Sequence, residues 1–247
     1  MRILVLSDIH ANLAALEAVL ADANAFECEA VWCLGDTVGY GPEPNECIMR
    51  LRQLKPQAVV VGNHDWAAVG RMDVADFNRE AQRAVLWTRE KLSPENLAWL
   101  RDLPSKPVVK GDFTLTHGSP RDPVWEYILY PATAHVNLGH FSTPFCLIGH
   151  THLPTIFVSD TDGRTVNLLR VRSGEAVALS RERRAFLNPG SVGQPRDSDP
   201  RAAYAILDTE RAVWLPRRVA YPIEVTQAHM RAAGLPERLI IRLEYGW

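Results

Sequence analysis

Short apolar runs recur along the first part of the chain, at residues 3–6, 31–34, 59–61, 113–116 and 145–148, and each ends in polar side chains. Runs of this length, rich in Val and Ile, predict strands buried on both faces. Helical patterns lie between them. Asn12 is placed to cap a helix over residues 13–20, with Leu13, Leu16 and Leu20 on one face. A second helix is predicted over residues 45–54, after Pro42 and Pro44, and a third over residues 77–91. Ser93 as cap and Pro94 as first helical residue open a fourth. The start of the chain therefore reads β-α-β-α-β.

From Pro154 onward, the runs at residues 155–158, 166–171, 185–187, 203–207, 212–219 and 239–243 predict closely spaced strands. The pattern is that of an α/β domain with antiparallel strands added in its second half. No internal repeat or low-complexity linker divides residues 1–247, so one domain is expected. The Gly/Pro/Arg-rich stretch 188–201 is expected to be a long loop inside it, and long ordered loops are more often functional than linking.

Composition narrows the function classes. Apolar residues at 47% and charged residues at 23% are ordinary for a soluble globular chain of 247 residues. A net charge of −2 offers no broad attraction to nucleic acid or an anionic membrane, so any anion has to be held by a local site. Cys28, Cys33, Cys47 and Cys146 form no CxxC pair and are expected to be reduced thiols packed as small hydrophobes, which suits a cytoplasmic protein. No signal-like segment and no run of 18 apolar residues is present, so neither secretion nor membrane spanning is expected.

The strand ends carry the unusual chemistry. Asp8 and His10 follow the first predicted strand, Asp36 the second, Asn63 and His64 the third, His117 the fourth, and His150 and His152 the fifth. In an open α/β sheet, ligands bind at the carboxyl ends of strands, so these groups should converge on one rim. Singly, each has an ordinary reading as a helix cap, an Asx turn or a hydrogen-bonded core histidine. A specified Gly-Asn-His-Asp, however, arises by chance at roughly one position in 10⁵. Each dyad, Asp8/His10 and His150/His152, is expected to point its two side chains the same way if extended. Gly35, Gly62 and Gly149 stand where a side chain would crowd the backbone.

The order Asp8-x-His10, Gly35-Asp36, Gly62-Asn63-His64-Asp65, His117-Gly118, Gly149-His150-Thr151-His152 resembles the calcineurin-like metallophosphoesterase superfamily. The stretches "GYGPEPNEC", "HGSPRDP" and "NPGSVGQPRD" are similar to its small bacterial and archaeal phosphodiesterase branch. The resemblance implies a four-layer α-β-β-α sandwich with mixed sheets and a binuclear metal site. It implies Asp36 as the bridge, Asp8, His10 and His152 completing one metal, and Asn63, His117 and His150 the other. The nitrogen-rich donor set suits Mn, Fe, Zn or Ni better than Mg or Ca. The implied reaction is hydrolysis of a phosphodiester or phosphomonoester by a metal-bridging hydroxide. His64 is then the general acid, and Asp65 is expected to orient or charge its imidazole.

Protein Ser/Thr phosphatases and dinucleoside tetraphosphatases carry an Arg soon after the second-strand Asp. The segment from Thr37 to Pro42 has no basic residue, which weakens both readings. Arg121 and Arg196 are the nearest basic candidates for holding phosphate. Tyr40, Trp66, Trp125 and Tyr127 lie near motif residues and are candidates for stacking on a nucleobase. The expected partner is a small phosphoester, with a nucleotide slightly preferred and self-association left open. A catalytically inactive scaffold would show missing ligands, and none is missing. A nuclease would want a basic groove, which the net charge does not supply.

Overall fold

The β-α-β-α-β start is observed. The computed structural model describes residues 1–247 and begins β1 (Arg2–Leu6), α1 (Leu13–Ala23), β2 (Ala30–Cys33), α2 (Pro44–Gln53) and β3 (Ala58–Val59), with β1, β2 and β3 paired in parallel. Asn12 caps α1 by accepting the Ala15 N–H at 3.1 Å. Ala15, Leu16, Val19 and Ala23 form the buried stripe of that helix, and full burial of a residue such as Leu16 contributes about 1.5–3 kcal/mol. Helices α3 (Asn63–Ala68), α4 (Arg79–Lys91) and α5 (Pro94–Asp102) follow. The α4 helix starts two residues later than predicted because Asn78 is its cap, which leaves Phe77 outside the helix and buried.

The chain continues through β4 (Val108–Lys110), β5 (Phe113–Leu115), α6 (Pro131–Asn137), β6 (Phe145–Leu147), β7 (Thr155–Ser159), β8 (Val166–Arg170) and β9 (Val177–Ala178). It ends with β10 (Ala185–Asn188), β11 (Ala202–Asp208), β12 (Val213–Val219), α7 (Ile223–Ala232) and α8 (Glu237–Tyr245). Two mixed sheets result, in the orders β3-β2-β1-β11-β12-β9 and β4-β5-β6-β10-β7-β8. As expected, antiparallel pairs dominate the second half.

The sheets face each other across a core in which Trp32, Ala205 and Trp214 of one meet Phe113, Phe145 and Leu187 of the other. On the outer face of the first sheet, Leu16 and Val19 of α1 and Cys47 and Leu51 of α2 pack on Leu4, Leu6 and Tyr204. On the outer face of the second, Ala134 of α6 packs on Cys146, Phe157 and Phe186. This is the four-layer α-β-β-α sandwich. All four cysteines are free thiols, and no helix is long and apolar enough to cross a membrane.

One predicted strand is wrong. Residues 239–243 lie in α8, where Leu239, Ile240 and Leu243 are buried while Ile241 stands exposed. That spacing of one and four residues is helical, and a strand would have alternated. With α7, which the pattern reading did not foresee, α8 forms a hairpin whose Met230, Leu239 and Leu243 pack against the same cluster as Tyr40 and Phe77.

Candidate metal centre

The loops that leave β1, β2, β3, β5 and β6 meet at one rim, and their backbone is not extended. Asp8, His10, Asp36, His150 and His152 all adopt positive φ, between 50° and 64°. The expectation that i and i+2 side chains converge along an extended chain is therefore corrected: left-handed turns bring each dyad inward. For a non-glycine residue this conformation costs about 1–2 kcal/mol, and Asp and His are among the residues that tolerate it. Neighbouring loops hold the strain. Asp8 N–H donates to Gly35 O at 3.0 Å and His10 N–H to Asp36 O at 2.9 Å, while Val192 and Gly193 N–H donate back to Ser7 O and Asp8 O. The loop after β1 is thus laced between the loop after β2 and the long stretch 188–201.

Asp36 and Asp8 are held in the same manner, by one oxygen each. Asp36 Oδ1 accepts the His64 N–H at 2.8 Å, and Asp8 Oδ2 accepts Ser7 Oγ–H at 2.6 Å and His150 N–H at 3.1 Å. Asp36 Oδ2 and Asp8 Oδ1 are buried with no hydrogen-bond partner. Both unpaired oxygens face imidazole nitrogens. Asp36 Oδ2 lies 3.4 Å from His117 Nε2 and 3.6 Å from His10 Nε2, and Asp8 Oδ1 lies 3.3 Å from His152 Nε2. The donor atoms of Asp8, His10 and His152 gather within 4.8 Å of one another, as do those of Asp36, His117 and His150. Asn63 Oδ1 sits 3.1 Å from His117 Nε2, beside the second group. Every one of these side chains is at most 2% exposed.

Whether the cluster suits a cation can be judged from where its protons go. Each imidazole turns its outer nitrogen to a backbone carbonyl: His10 to Val38 O, His117 to Leu34 O, His150 to Trp125 O and His152 to Gln194 O, at 2.5–3.1 Å. A carbonyl only accepts, so the single proton of each neutral ring belongs there. The inner nitrogens then present lone pairs to one another, at 3.0 Å between His10 and His152 and 3.2 Å between His117 and His150. Two facing lone pairs beside unpaired carboxylate oxygens leave a demand for positive charge between them. That demand shows at His117: burial alone would lower its pKa, yet the Asp36 carboxylate outweighs it and holds the ring up at about 9, so a second proton on this ring competes with a cation for the same position. Burial would raise Asp36 and Asp8, and the surrounding imidazoles keep both well below the usual carboxylate range. Oxygen and imidazole donors in this arrangement fit divalent transition ions.

Close backbone approach explains two of the glycines. A Cβ on Gly62 would lie 2.0 Å from Asp36 Oδ1 and 2.4 Å from Asp36 N, and one on Gly149 would lie 2.0 Å from Ser7 Oγ. Because the obstacle at Gly62 includes backbone, Gly62→Ala is expected to destabilise the protein by about 1–3 kcal/mol. Thermal unfolding of wild type and variant measures this, and an unchanged midpoint would refute the packing argument.

Other predicted residues are placed differently. Asp65 does not partner the His64 ring: its two carboxylate oxygens accept the Val38 N–H at 3.0 Å and the Gly62 N–H at 3.1 Å. It is a buried tether between the second and third loops, which corrects the expectation that it orients or charges the imidazole. His64 packs against Tyr40, His10 and Phe77, and burial pushes its pKa down to about 4. Arg121 is exposed and ion-paired with Glu126, and no hydrogen bond joins it to the cluster. Arg196 is drawn in. Its Nη2 donates to Gln194 Oε1 at 3.2 Å and to the Tyr40 hydroxyl at 3.4 Å, its Nε is enclosed without a partner, and no carboxylate pairs with it.

The pattern reading missed Ser7, Ser191 and Gln194. Ser191 Oγ–H donates to Asp8 O and accepts the Gln194 N–H, which sets the carbonyl that meets His152. The one signal for them was the length of the loop that carries two of them.

Known proteins place this geometry. Residues 1–212 match the profile of the calcineurin-like phosphoesterase superfamily domain. Over its full length the chain is 48% identical to a metallophosphoesterase from Sphaerobacter thermophilus, whose crystal structure it matches with a TM-score of 0.90 over 99% of that chain. It is 38% identical over 248 residues to the uncharacterized protein MJ0912 of Methanocaldococcus jannaschii, covering 99% of this chain and 98% of that protein. The hypothetical protein PH1004 of Pyrococcus horikoshii, at 22% identity, shares the fold with a TM-score of 0.81, covering 100% of this chain and 98% of the other. With the motif order, the sandwich and the buried Asp/His cluster all in agreement, this chain belongs to the calcineurin-like phosphoesterase superfamily.

Proposed function

We propose that the protein hydrolyses phosphoric esters at a two-metal site. Asp8, His10 and His152 would hold one divalent ion, Asn63, His117 and His150 the other, with Asp36 shared between them. Bound there, the ions supply Lewis acidity toward phosphoryl oxygens and a water acidified toward neutral pH. The observation that carries this reading is the pair of buried carboxylate oxygens without partners, Asp8 Oδ1 and Asp36 Oδ2, each facing imidazole nitrogens.

The chain's own groups would do the rest. The Arg196 guanidinium, lacking a carboxylate partner, is available to hold a phosphoryl oxygen. His64 protonates the leaving oxygen. Its Nδ1 is enclosed without a partner, and a Cβ on Gly39 would come within 2.5 Å of that atom, so Nε2 is the nitrogen left to meet substrate. The ring is neutral in the free site because burial holds its pKa down, and an anionic phosphoryl group arriving beside it favours the charged form.

Metal analysis combined with hydrolysis of bis-nitrophenyl phosphate and nitrophenyl phosphate tests this reading. Metal-loaded protein is expected to turn over at least one of the two and to lose the activity on chelation. Absence of bound metal together with absence of turnover would reject it. The two arginines are expected to behave differently. Arg196→Ala should raise KM by roughly 10- to 100-fold, the size of a lost charge-assisted hydrogen bond worth about 1.5–3 kcal/mol. Arg121→Ala should leave KM unchanged, and a KM that moves equally in both variants would remove Arg196 from the site.

A further inference from the structure

We infer that Tyr127 is the surface on which this site reads its substrate, and that the substrate is a phosphoester carrying a flat aromatic ring such as a nucleobase. The inference rests on the phosphoesterase reading of the same site and adds its substrate class. Four aromatic side chains lie near the motifs, and the structure separates them. Tyr40 is buried, with its ring against His10 at 4.6 Å and His64 at 4.2 Å. Trp125 packs edge-on to Phe77 at 5.2 Å. Trp66 lies within α3 and is partly buried. Tyr127 alone of the four stands in the open, 40% exposed.

Its position links solvent to the centre. One face of the Tyr127 ring stacks on His150, with centroids 3.7 Å apart and planes 24° from parallel. The Arg196 guanidinium is near enough to act on its hydroxyl as a positive charge, against the larger effect of burial. The candidate ligands are at most 2% exposed, and Tyr127 is the exposed ring that lies directly on one of them, His150. A phosphoryl group held at Arg196 would leave the rest of the molecule close to the exposed part of Tyr127. The exposed side chains next in sequence, Leu129 and Tyr130, carry no charge, and Arg121 is ion-paired with Glu126. An exposed aromatic ring so placed offers a flat ring a stacking surface.

Calorimetric binding to the metal-loaded protein tests the idea, with adenosine 5′-monophosphate and methyl phosphate as probes. Wild type is expected to bind the nucleotide more tightly than the methyl ester. Tyr127→Ala should weaken nucleotide binding by about 5- to 150-fold, the range of a lost base–aromatic stack, with methyl phosphate binding and metal content unchanged. Tyr127→Phe should retain the nucleotide affinity. Equal loss for both probes would assign Tyr127 to supporting His150 instead, and an unchanged nucleotide affinity would also overturn the inference. Nucleotide binding that depends on Tyr127 in a protein that hydrolyses no phosphoester would reject the hydrolase reading alone. Hydrolysis of simple esters without any preference for a ring would reject the inference alone.

Discussion

Asp36→Asn is expected to reduce bound metal and to lower kcat/KM by about 10³-fold or more. The substitution is nearly isosteric and keeps an oxygen to accept the His64 N–H, which Asp36 Oδ1 does at 2.8 Å. What it removes is the charge on Oδ2, the unpaired atom that faces both His117 and His10. An amide N–H in that place would point a donor at a position that calls for a cation. Metal ions contribute several kcal/mol of charge stabilisation to phosphoryl transfer, and each 1.36 kcal/mol is tenfold in rate. Metal content by emission spectroscopy, measured beside the kinetics, checks the claim. Full metal occupancy in the variant would remove Asp36 from its shared position.

His64→Ala has the second largest expected effect and the opposite metal signature. Its backbone N–H still reaches Asp36, so both ions should remain. Loss of the imidazole should cost roughly 10²- to 10⁴-fold in turnover, the usual contribution of general-acid help. That loss should fall on alkyl esters, whose leaving oxygens need a proton, and be much smaller on nitrophenyl esters. The gap left among Tyr40, Phe77 and the Gly39 backbone will also lower thermal stability. Equal rate losses on both ester types, with metal retained, would count against the acid role.

The different fates of Asp65 and Arg196 show where pattern reading stops. Asp65 belongs to the rare tetrapeptide that marked the site, but its carboxylate is consumed by two backbone N–H groups. Adjacency in sequence to His64 says nothing about the ring, because a short helix begins at Asn63 and turns successive side chains about 100° apart. Arg196 and Arg121 were equal candidates by composition. They differ because Arg121 has Glu126 five residues away as a partner, while Arg196 sits on the 188–201 loop that folds back over the loop after β1.

The C-terminal hairpin carries the same lesson. The superfamily profile ends at residue 212, yet α7 and α8 contribute Met230 and Leu243 to the packing around Tyr40. Thr226 Oγ–H also donates to Asn12 Oδ1, the cap of the first helix. In residues 239–243, five consecutive positions of Leu, Ile and Arg satisfy a strand pattern as readily as a helical one. Burial on one side of α8 is what decides between them.

By itself the sequence determined the early β-α-β-α-β order, the helix caps Asn12 and Ser93, the set of Asp, Asn and His side chains at strand ends and the glycines beneath them. These are local matters, settled by the period of apolar residues, by capping chemistry and by the rarity of the motif. Only the tertiary structure decided the strand order of the two sheets, the left-handed turns that aim the dyads, the unpaired carboxylate oxygens and which arginine and tyrosine reach the rim. The reason is that these depend on partners far apart in the chain: Ile3 pairs with Leu207, β10 inserts between β6 and β7, and Ser191 fastens Asp8. Such contacts follow from how whole sheets bury their faces against each other, which no short stretch of residues encodes.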